Sequence, residues 1–520
     1  MRELELKFSL TPALQAALER EAAADPDTAR ERVLSRYYDT PDGALVTARM
    51  AVRVRRHGER WLQTLKADTG DHFERFEWER PVAGPVPERG ALPPPDTPQG
   101  AIAHGSFERW QALFETDFER TSRRLEPVPG LAVELAQDIG EVRCAGESEP
   151  IREVELECLE GSRDAFFAWA LEWAHDTGAC LLMPTKNERG LRLAHRLPPL
   201  PPAVRSVPAS PAGDAPGGGA AASVLGTCIG QFCANLEPVL RADGPEGPHQ
   251  MRVALRRLRA ALRFFGLRGL DDAWTALDHD AAALASLAGH VRDIDVFETG
   301  LLRVLHERFP GDAALRVLSR AVAQARDEAR MALRHTLAGP EATQFVLRAL
   351  ALAARLAGPG AGTGLPGGDF AALAASRIHA LYDTLHKRAR TARQEAGWHR
   401  MRIAVKNLRY GLEFAAQALP SEADPLRAAA LLARWQEKLG VGQDLVTARS
   451  VASNAVARPG VPPEAAVRAI ALIDGWQALA TAPPSGRRRR ARRTLRDVRE
   501  ALGAAAGKGG SGHEAPERVQ

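Results

Sequence analysis

The sequence predicts an α+β domain built on an antiparallel sheet, followed by an all-α bundle made of a duplicated helical unit. Three observations carry this. Up to about residue 197, segments such as LELKF, MAVRVR, WLQTLK, FERFEWE, LAVELA and REVELECLE alternate apolar and charged residues with period two, the mark of strands. The stretch LPPLPPAVRSVPASPAGDAPGGGAA then follows, with a density of Pro, Gly, Ala and Ser that cannot bury a core and reads as a linker. Beyond it, long Ala/Leu/Arg segments of helical period take over. Within them HQMRVALRRLRA, starting at His249, returns as HRMRIAVKNLRY, starting at His399, an offset of 150 residues.

In chain order, a strand opens the sequence and helical stretches are expected at 12–24, 107–115 and 163–177. The Pro/Gly-rich loop PVAGPVPERGALPPPDTPQG interrupts the sheet. The expected division is 1–197 for the sheet domain, 198–219 for the linker, 220–503 for the helical domain and 504–520 for a disordered tail. In the helical part GPGAGTGLPGG (358–368) separates the two copies, and LAGHVRDIDVF from Leu287 is echoed by LGVGQDLVTA from Leu439.

At 520 residues the chain exceeds one core, and its 45% hydrophobic and 26% charged residues are those of a globular protein. The net charge of +4 is small, so partners must be read from where charge clusters. Five scattered cysteines without a C-x-x-C pair argue against a disulfide framework and a zinc site. With no apolar h-region at the start and no uninterrupted apolar run of about eighteen residues, neither a signal peptide nor a membrane span is expected. A reducing cytoplasm is the expected setting.

The strands sort their charge by sign. Glu3, Glu5 and Lys7 share one face of the first strand, opposite Leu4, Leu6 and Phe8. Glu153, Glu155 and Glu157 form an all-acidic triplet, and Arg53 and Arg55 an all-arginine pair. A sheet with one face in water also alternates, but its outer face normally mixes charges. Carboxylates on adjacent strands repel unless a hard divalent cation sits between them, and arginines and lysines across from them suit phosphate oxygens. A closed sheet would gather both sets in one cavity.

Nine motifs in sequence order resemble the CYTH proteins, the triphosphate tunnel metalloenzymes: ELELK, YYDTPDGAL, VRVR, TLK, RFEWE, FETDFERTSRRL, VELAQDIGEV, EVELE and PTKNERGLRL. The resemblance implies an eight-stranded antiparallel barrel around a charged tunnel. It implies that Glu3, Glu5 and Lys7 serve catalysis, and that Glu3 and Glu5 hold a divalent metal (Mg²⁺ or Mn²⁺) with a carboxylate of the late acidic strand. Glu155 is the first choice there, with Glu153 and Glu157 on the same face. Lys7, Arg53, Arg55, Lys66, Arg120, Arg123, Lys186 and Arg189 would hold phosphate oxygens. The implied chemistry is metal-assisted hydrolysis of inorganic triphosphate. Nucleoside or thiamine triphosphate hydrolysis, adenylate cyclase activity and a non-catalytic polyphosphate scaffold remain open alternatives.

In the helical part His249, Arg252, Arg256, Arg259 and Arg263 follow a 3-4-3-4 spacing and share a helix face, beside an apolar stripe of Met251, Leu255, Leu258, Leu262 and Phe265. The second copy offers His399, Arg402, Lys406 and Arg409. Neither stretch contains an acid, so like charges at i,i+4 go uncompensated within the helix and an external anion is expected. The repeat resembles the CHAD domain, which implies association with inorganic polyphosphate. RRRRARR (487–493) could extend that surface. Nucleic acid is the less favoured polyanion, because the stripes lack interleaved aromatics. Leftover apolar helix surface could also support a homodimer.

Overall fold

The computed structural model of the chain describes residues 2–71, 73–358, 368–393, 395–480 and 487–503. Nearly all of the Gly-rich break at 358–368 and the expected tail at 504–520 lie outside the described residues.

Eight strands, β1 (Arg2–Ser9), β2 (Ala29–Asp39), β3 (Met50–His57), β4 (Arg60–Asp68), β5 (Glu74–Val82), β6 (Gln111–Val128), β7 (Leu131–Cys144) and β8 (Glu147–Glu160), close into a barrel in the order β1-β5-β4-β3-β2-β6-β7-β8. Every pairing is antiparallel. The register sends most of the apolar half of the alternation outward. Leu6 and Phe8 are fully buried on the outer side, and the Phe8 ring meets Trp173 edge-on at 5.1 Å. Val52, Val54, Val133, Val154 and Leu156 are likewise buried. The other half faces the interior, where charged residues share the wall with Tyr37 and Phe118, and Val33, Tyr37, Phe114, Phe118, Val142, Ile151 and Leu191 pack into one apolar cluster.

The helices of this part are α1 (Pro12–Ala24), α2 (Ala44–Thr47), α3 (Pro98–Ser106), α4 (Arg163–Thr177) and α5 (Lys186–Leu193). Thr11 caps α1, accepting from the backbone N–H of Leu14 at 3.2 Å, with Pro12 in the first turn. The helix expected at 107–115 does not form: Phe107–Arg109 is a single 3₁₀ turn, and β6 begins at Gln111. The apolar spacing of FERWQALFE mimics a helix, but pairing with β2 on one side and β7 on the other overrides it. Gly190 is required inside α5, since a Cβ there would lie 2.1 Å from the Phe114 ring. This close approach seats α5 against β6.

The remaining helices are α6 (Gly217–Ala234), α7 (Leu236–Arg241), α8 (Glu246–Phe264), α9 (Asp272–Phe297), α10 (Arg303–Arg308), α11 (Ala313–Ala338), α12 (Pro340–Ala357), α13 (Phe370–Thr391), α14 (Glu395–Phe414), α15 (Pro425–Val456), α16 (Pro463–Ala480) and α17 (Arg487–Leu502). The apolar stripes of both repeat copies are buried, from Met251 to Phe265 and from Met401 to Leu412. One stretch among the described residues, Gly217–Arg241, is long and apolar enough to cross a membrane by composition, and 61% of that window is buried inside the protein.

The chain divides into two compact units that do not follow its order. The first is Met1–Arg205 with Ile229–Met251 and Arg334–Arg355, and the second is Ser206–Cys228, Arg252–Leu333 and Leu356–Gln520. Within the first, Phe232 packs edge-on against Phe345 at 5.1 Å, and Arg334 donates to the carbonyls of Val239 and Ala242, both at 2.9 Å, closing the end of α7.

Candidate active site

The barrel holds a cavity of about 350 Å³ whose wall is mostly charged, with Tyr37 and Phe118 among its uncharged residues. Period two delivers Glu3, Glu5 and Lys7 from β1, Arg53 and Arg55 from β3, and Lys66 from β4. It also delivers Glu77 and Glu79 from β5, Arg120 from β6, Glu134 from β7, and Glu155 and Glu157 from β8, while the first residue of α5 adds Lys186. Three expected residues are not on this wall. Arg123 is one step out of phase and leaves the barrel to bind Glu21 of α1 at 2.6 Å. Glu153 and Arg189 are buried beneath the wall, 3.3 Å from each other, and Arg189 also holds Glu149 at 2.7 Å.

Two acidic clusters form, and they differ in kind. In the first, Asp138, Glu153 and Glu155 place ligand oxygens within 4.8 Å of one another. An ammonium fills the space between them: Lys186 Nζ lies 2.7 Å from both Asp138 and Glu155 and bonds Glu153 too. Arg120 adds a bidentate pair to Asp138 at 2.8 and 2.7 Å and a further bond to Glu155. Although burial opposes charge, Lys186 and Arg120 hold the Glu155 carboxyl well below its usual range, and the three acids raise Lys186. This cluster is internally neutralised.

The second cluster is not. Glu157 of β8 stands directly opposite Glu5 of β1 on one side and Glu134 of β7 on the other. Like charges directly across a ladder repel. Burial, then Glu3 and Glu5, push the Glu157 carboxyl up to about 8 against the opposing Lys66, and burial with Glu155 raises Glu5. Lys66 binds Glu3 and stands 3.6 Å from Glu77. Across the cavity the Nε atoms of Arg53 and Arg55 are buried with no hydrogen-bond partner, although Arg55 also donates to Glu79 at 3.0 Å. Buried donors without acceptors are expensive, and a bound anion would satisfy them.

Asp138 and Glu134 are among the residues that the motif reading did not assign to the site, as are Glu77 and Glu79 of β5. The signal was present in VELAQD, where both acids fall on one face of β7. Helix α5 was also signalled, by T-x-x-E: Thr185 and Glu188 form a capping box.

In the second compact unit the basic stripes of α8 and α14 divide into paired and unpaired residues. Acids from outside each stripe hold three of them: Asp293 binds Arg252 at 2.8 Å, Asp278 binds Arg259 at 2.9 Å and Glu413 binds Arg409 at 2.8 Å. The spacing predicts stripes that go uncompensated within their helices; Arg252 and Arg259 are instead paired from α9, and Arg409 by Glu413 further along α14 itself. Arg256, Arg263, Arg402 and Lys406 have no carboxylate at ion-pair distance among the described residues. Burial, then Arg256, Arg402, Arg252 and Arg263, push the Lys406 ammonium down to about 7. Arg256 Nε is buried without a partner. His249 falls in the first compact unit, and His399 is exposed.

Residues 1–190 match the CYTH domain family and residues 223–453 the CHAD domain family. An inorganic triphosphatase of Haemophilus influenzae is 25% identical over 208 residues, 38% of this chain and 56% of that protein. The chain thus spans about half the length of this curated relative. Among solved structures, the CHAD domain of the plant Ricinus communis is 29% identical over 58% of this chain and 96% of its own, with a TM-score of 0.48. A Hippeastrum adenylyl cyclase candidate described as having a dominant triphosphatase activity is 17% identical over 38% of this chain and 98% of its own, with a TM-score of 0.28.

Proposed function

From a chain that carries a CYTH domain followed by a CHAD domain, we propose that the barrel hydrolyses inorganic triphosphate with a divalent cation and that the helical domain binds polyphosphate. The observation that supports this best is a closed lumen with uncompensated carboxylates on one wall and partnerless buried guanidinium nitrogens on the other.

The donor set suits a hard cation. Glu5 and Glu157, with Glu3 beside them, supply carboxylate oxygens only, the ligands that Mg²⁺ and Mn²⁺ prefer. Asp138, Glu153 and Glu155 suit it less, because Lys186 already occupies their centre. When bound, such a cation would neutralise phosphate charge and orient a phosphate chain for in-line attack. Arg53 and Arg55 present donors for non-bridging oxygens, and Lys66, Lys7 and Arg120 lie within the same cavity.

Phosphate release with Mg²⁺ or Mn²⁺ from tripolyphosphate, ATP, thiamine triphosphate and long polyphosphate tests this reading. Release from tripolyphosphate foremost is expected, and no release from any of them would overturn it. Arg123→Ala is expected to leave turnover unchanged, since its partner Glu21 lies outside the barrel, whereas Arg53→Ala lowers it.

Polyphosphate binding by the helical domain carries a pH signature. With Lys406 at about 7 instead of 10.5, the folded protein binds less proton there than the unfolded chain between those values. Without anion, this residue's contribution makes stability rise with pH across that window. A bound anion requires the ammonium, so affinity is full below about pH 7 and falls by up to about tenfold per unit above it. Titrations at about pH 6 and about pH 8.5 read this directly, and a flat profile would remove Lys406 from the site.

A further inference from the structure

The connection from α4 to α5, GACLLMPT, closes a seam in the barrel. Strand β1 pairs with β5 only from Arg2 to Leu4. Beyond that, its open side is taken by residues 180–182: Ser9 N–H donates to the Cys180 carbonyl and Leu182 N–H to the Lys7 carbonyl, both at 2.8 Å. Leu181, Leu182 and Met183 then wall a second cavity of about 30 Å³, which shares Glu3, Glu5 and Lys7 with the main one. Three residues after Met183, Lys186 enters the three-carboxylate cluster. This strap both lines the cavity space beside Glu3, Glu5 and Lys7 and leads directly into Lys186.

Its anchor comes from a distant part of the chain. The Leu181 N–H, facing away from β1, donates to Thr343 Oγ1 of α12 at 2.8 Å, and Thr343 is only 3% exposed. The next residue, Gln344, places its side-chain nitrogen 3.1 Å from His175 Nδ1 in the last turn of α4. Two neighbouring residues of α12 therefore hold the strap at Leu181 and the end of the helix that leads into it at His175.

We propose that Thr343 is a positioning residue that holds the 180–183 strap closed over one end of the lumen and so limits the length of phosphate chain the barrel accepts. This rests on the reading of the barrel as a triphosphatase. A linear anion in a closed-ended cavity can extend only as far as the end wall, and a longer chain needs the space that Leu182 and Met183 hold. Valine has nearly the shape of threonine but no acceptor, so Thr343→Val leaves Leu181 N–H unsatisfied without opening a cavity. Serine restores the acceptor.

The test uses the full chain with Thr343→Val, Thr343→Ser and Met183→Ala. Amide exchange is followed at 181–183, and kcat/KM is measured on tripolyphosphate and tetrapolyphosphate. Thr343→Val is expected to speed exchange at these amides by about tenfold and to shift the tetra-to-tri ratio by about fivefold toward the longer chain. Thr343→Ser returns both toward wild type, and Met183→Ala shifts the ratio with Leu181 exchange unchanged. A Thr343→Val ratio equal to wild type overturns the proposal, whether or not exchange rises. If wild type releases phosphate from neither chain, the triphosphatase reading fails. Calorimetric binding of the two chains to Thr343→Val then decides Thr343 separately, with an unaltered preference overturning its role.

Discussion

Glu157→Gln is expected to abolish most metal-dependent phosphate release, by about 100-fold or more, a size typical of losing one preorganised electrostatic group. The same substitution should make the metal-free protein less sensitive to pH. In wild type the Glu157 carboxyl, ordinarily near 4.5, is pushed up to about 8, so the folded state keeps a proton that the unfolded chain has lost. Stability is therefore greatest below about 4.5 and falls as pH rises to about 8, because the folded state binds more protons over that window. Glutamine cannot ionise, and this part of the slope disappears. Thermal midpoints without divalent ions, compared from about pH 5 to about pH 9, test it together with phosphate release. Full turnover in Glu157→Gln would sink the assignment of the cation to the β1–β8 pair. Added Mg²⁺ should raise the wild-type midpoint more at about pH 8.5 than at about pH 6, since binding displaces that proton.

Lys186→Ala is expected to be the most destabilising single substitution in the barrel. It strips the central cation from Asp138 and Glu153, which are fully buried, and from Glu155. Removing one partner of a buried ion cluster costs about 3–5 kcal/mol, because the remaining charges are left unmatched. Denaturant unfolding near neutral pH measures it. The oxygens left behind lie within 4.8 Å of one another, close enough to share a cation. Millimolar Mn²⁺ or Ca²⁺ should therefore recover part of the lost stability in Lys186→Ala, and much less in wild type. A variant as stable as wild type would show that Arg120 and Arg189 suffice.

The architecture was largely legible because alternation is a strong signal when both faces of a strand are demanding. The outer face must be apolar to pack under helices, as Leu4, Leu6 and Phe8 do, and the inner one is charged where it lines the cavity along β1, β3 and the later part of β8. Helices 12–24 and 163–177 match the observed α1 and α4, where local propensity and packing agree. They disagree at Phe107, and pairing with two neighbouring strands prevailed. Within the site, motif and face placed Glu5, Arg53 and Lys66 on the cavity wall. Which carboxylates are neutralised could not be read locally: Glu155 and Glu157 share one face of β8, and Lys186, arriving from α5, with Arg120 of β6 pairs the first and not the second. The same holds for the basic helices. Asp293 and Asp278, from α9, decide which arginines of α8 remain free for an anion.

The discontinuity of the first compact unit bears on how the chain is made. Synthesis delivers the barrel strands and then, after Arg205, nearly 130 more residues before Arg334–Arg355 appears. At translation rates of about 5–20 residues per second, that is a delay of roughly 6 to 26 s. Throughout it Leu181 N–H waits for Thr343, and the outer surface that α12 covers stays open to water. The nascent protein thus carries an unfinished barrel through about a quarter of its synthesis, the interval in which a holding chaperone would have the most to bind.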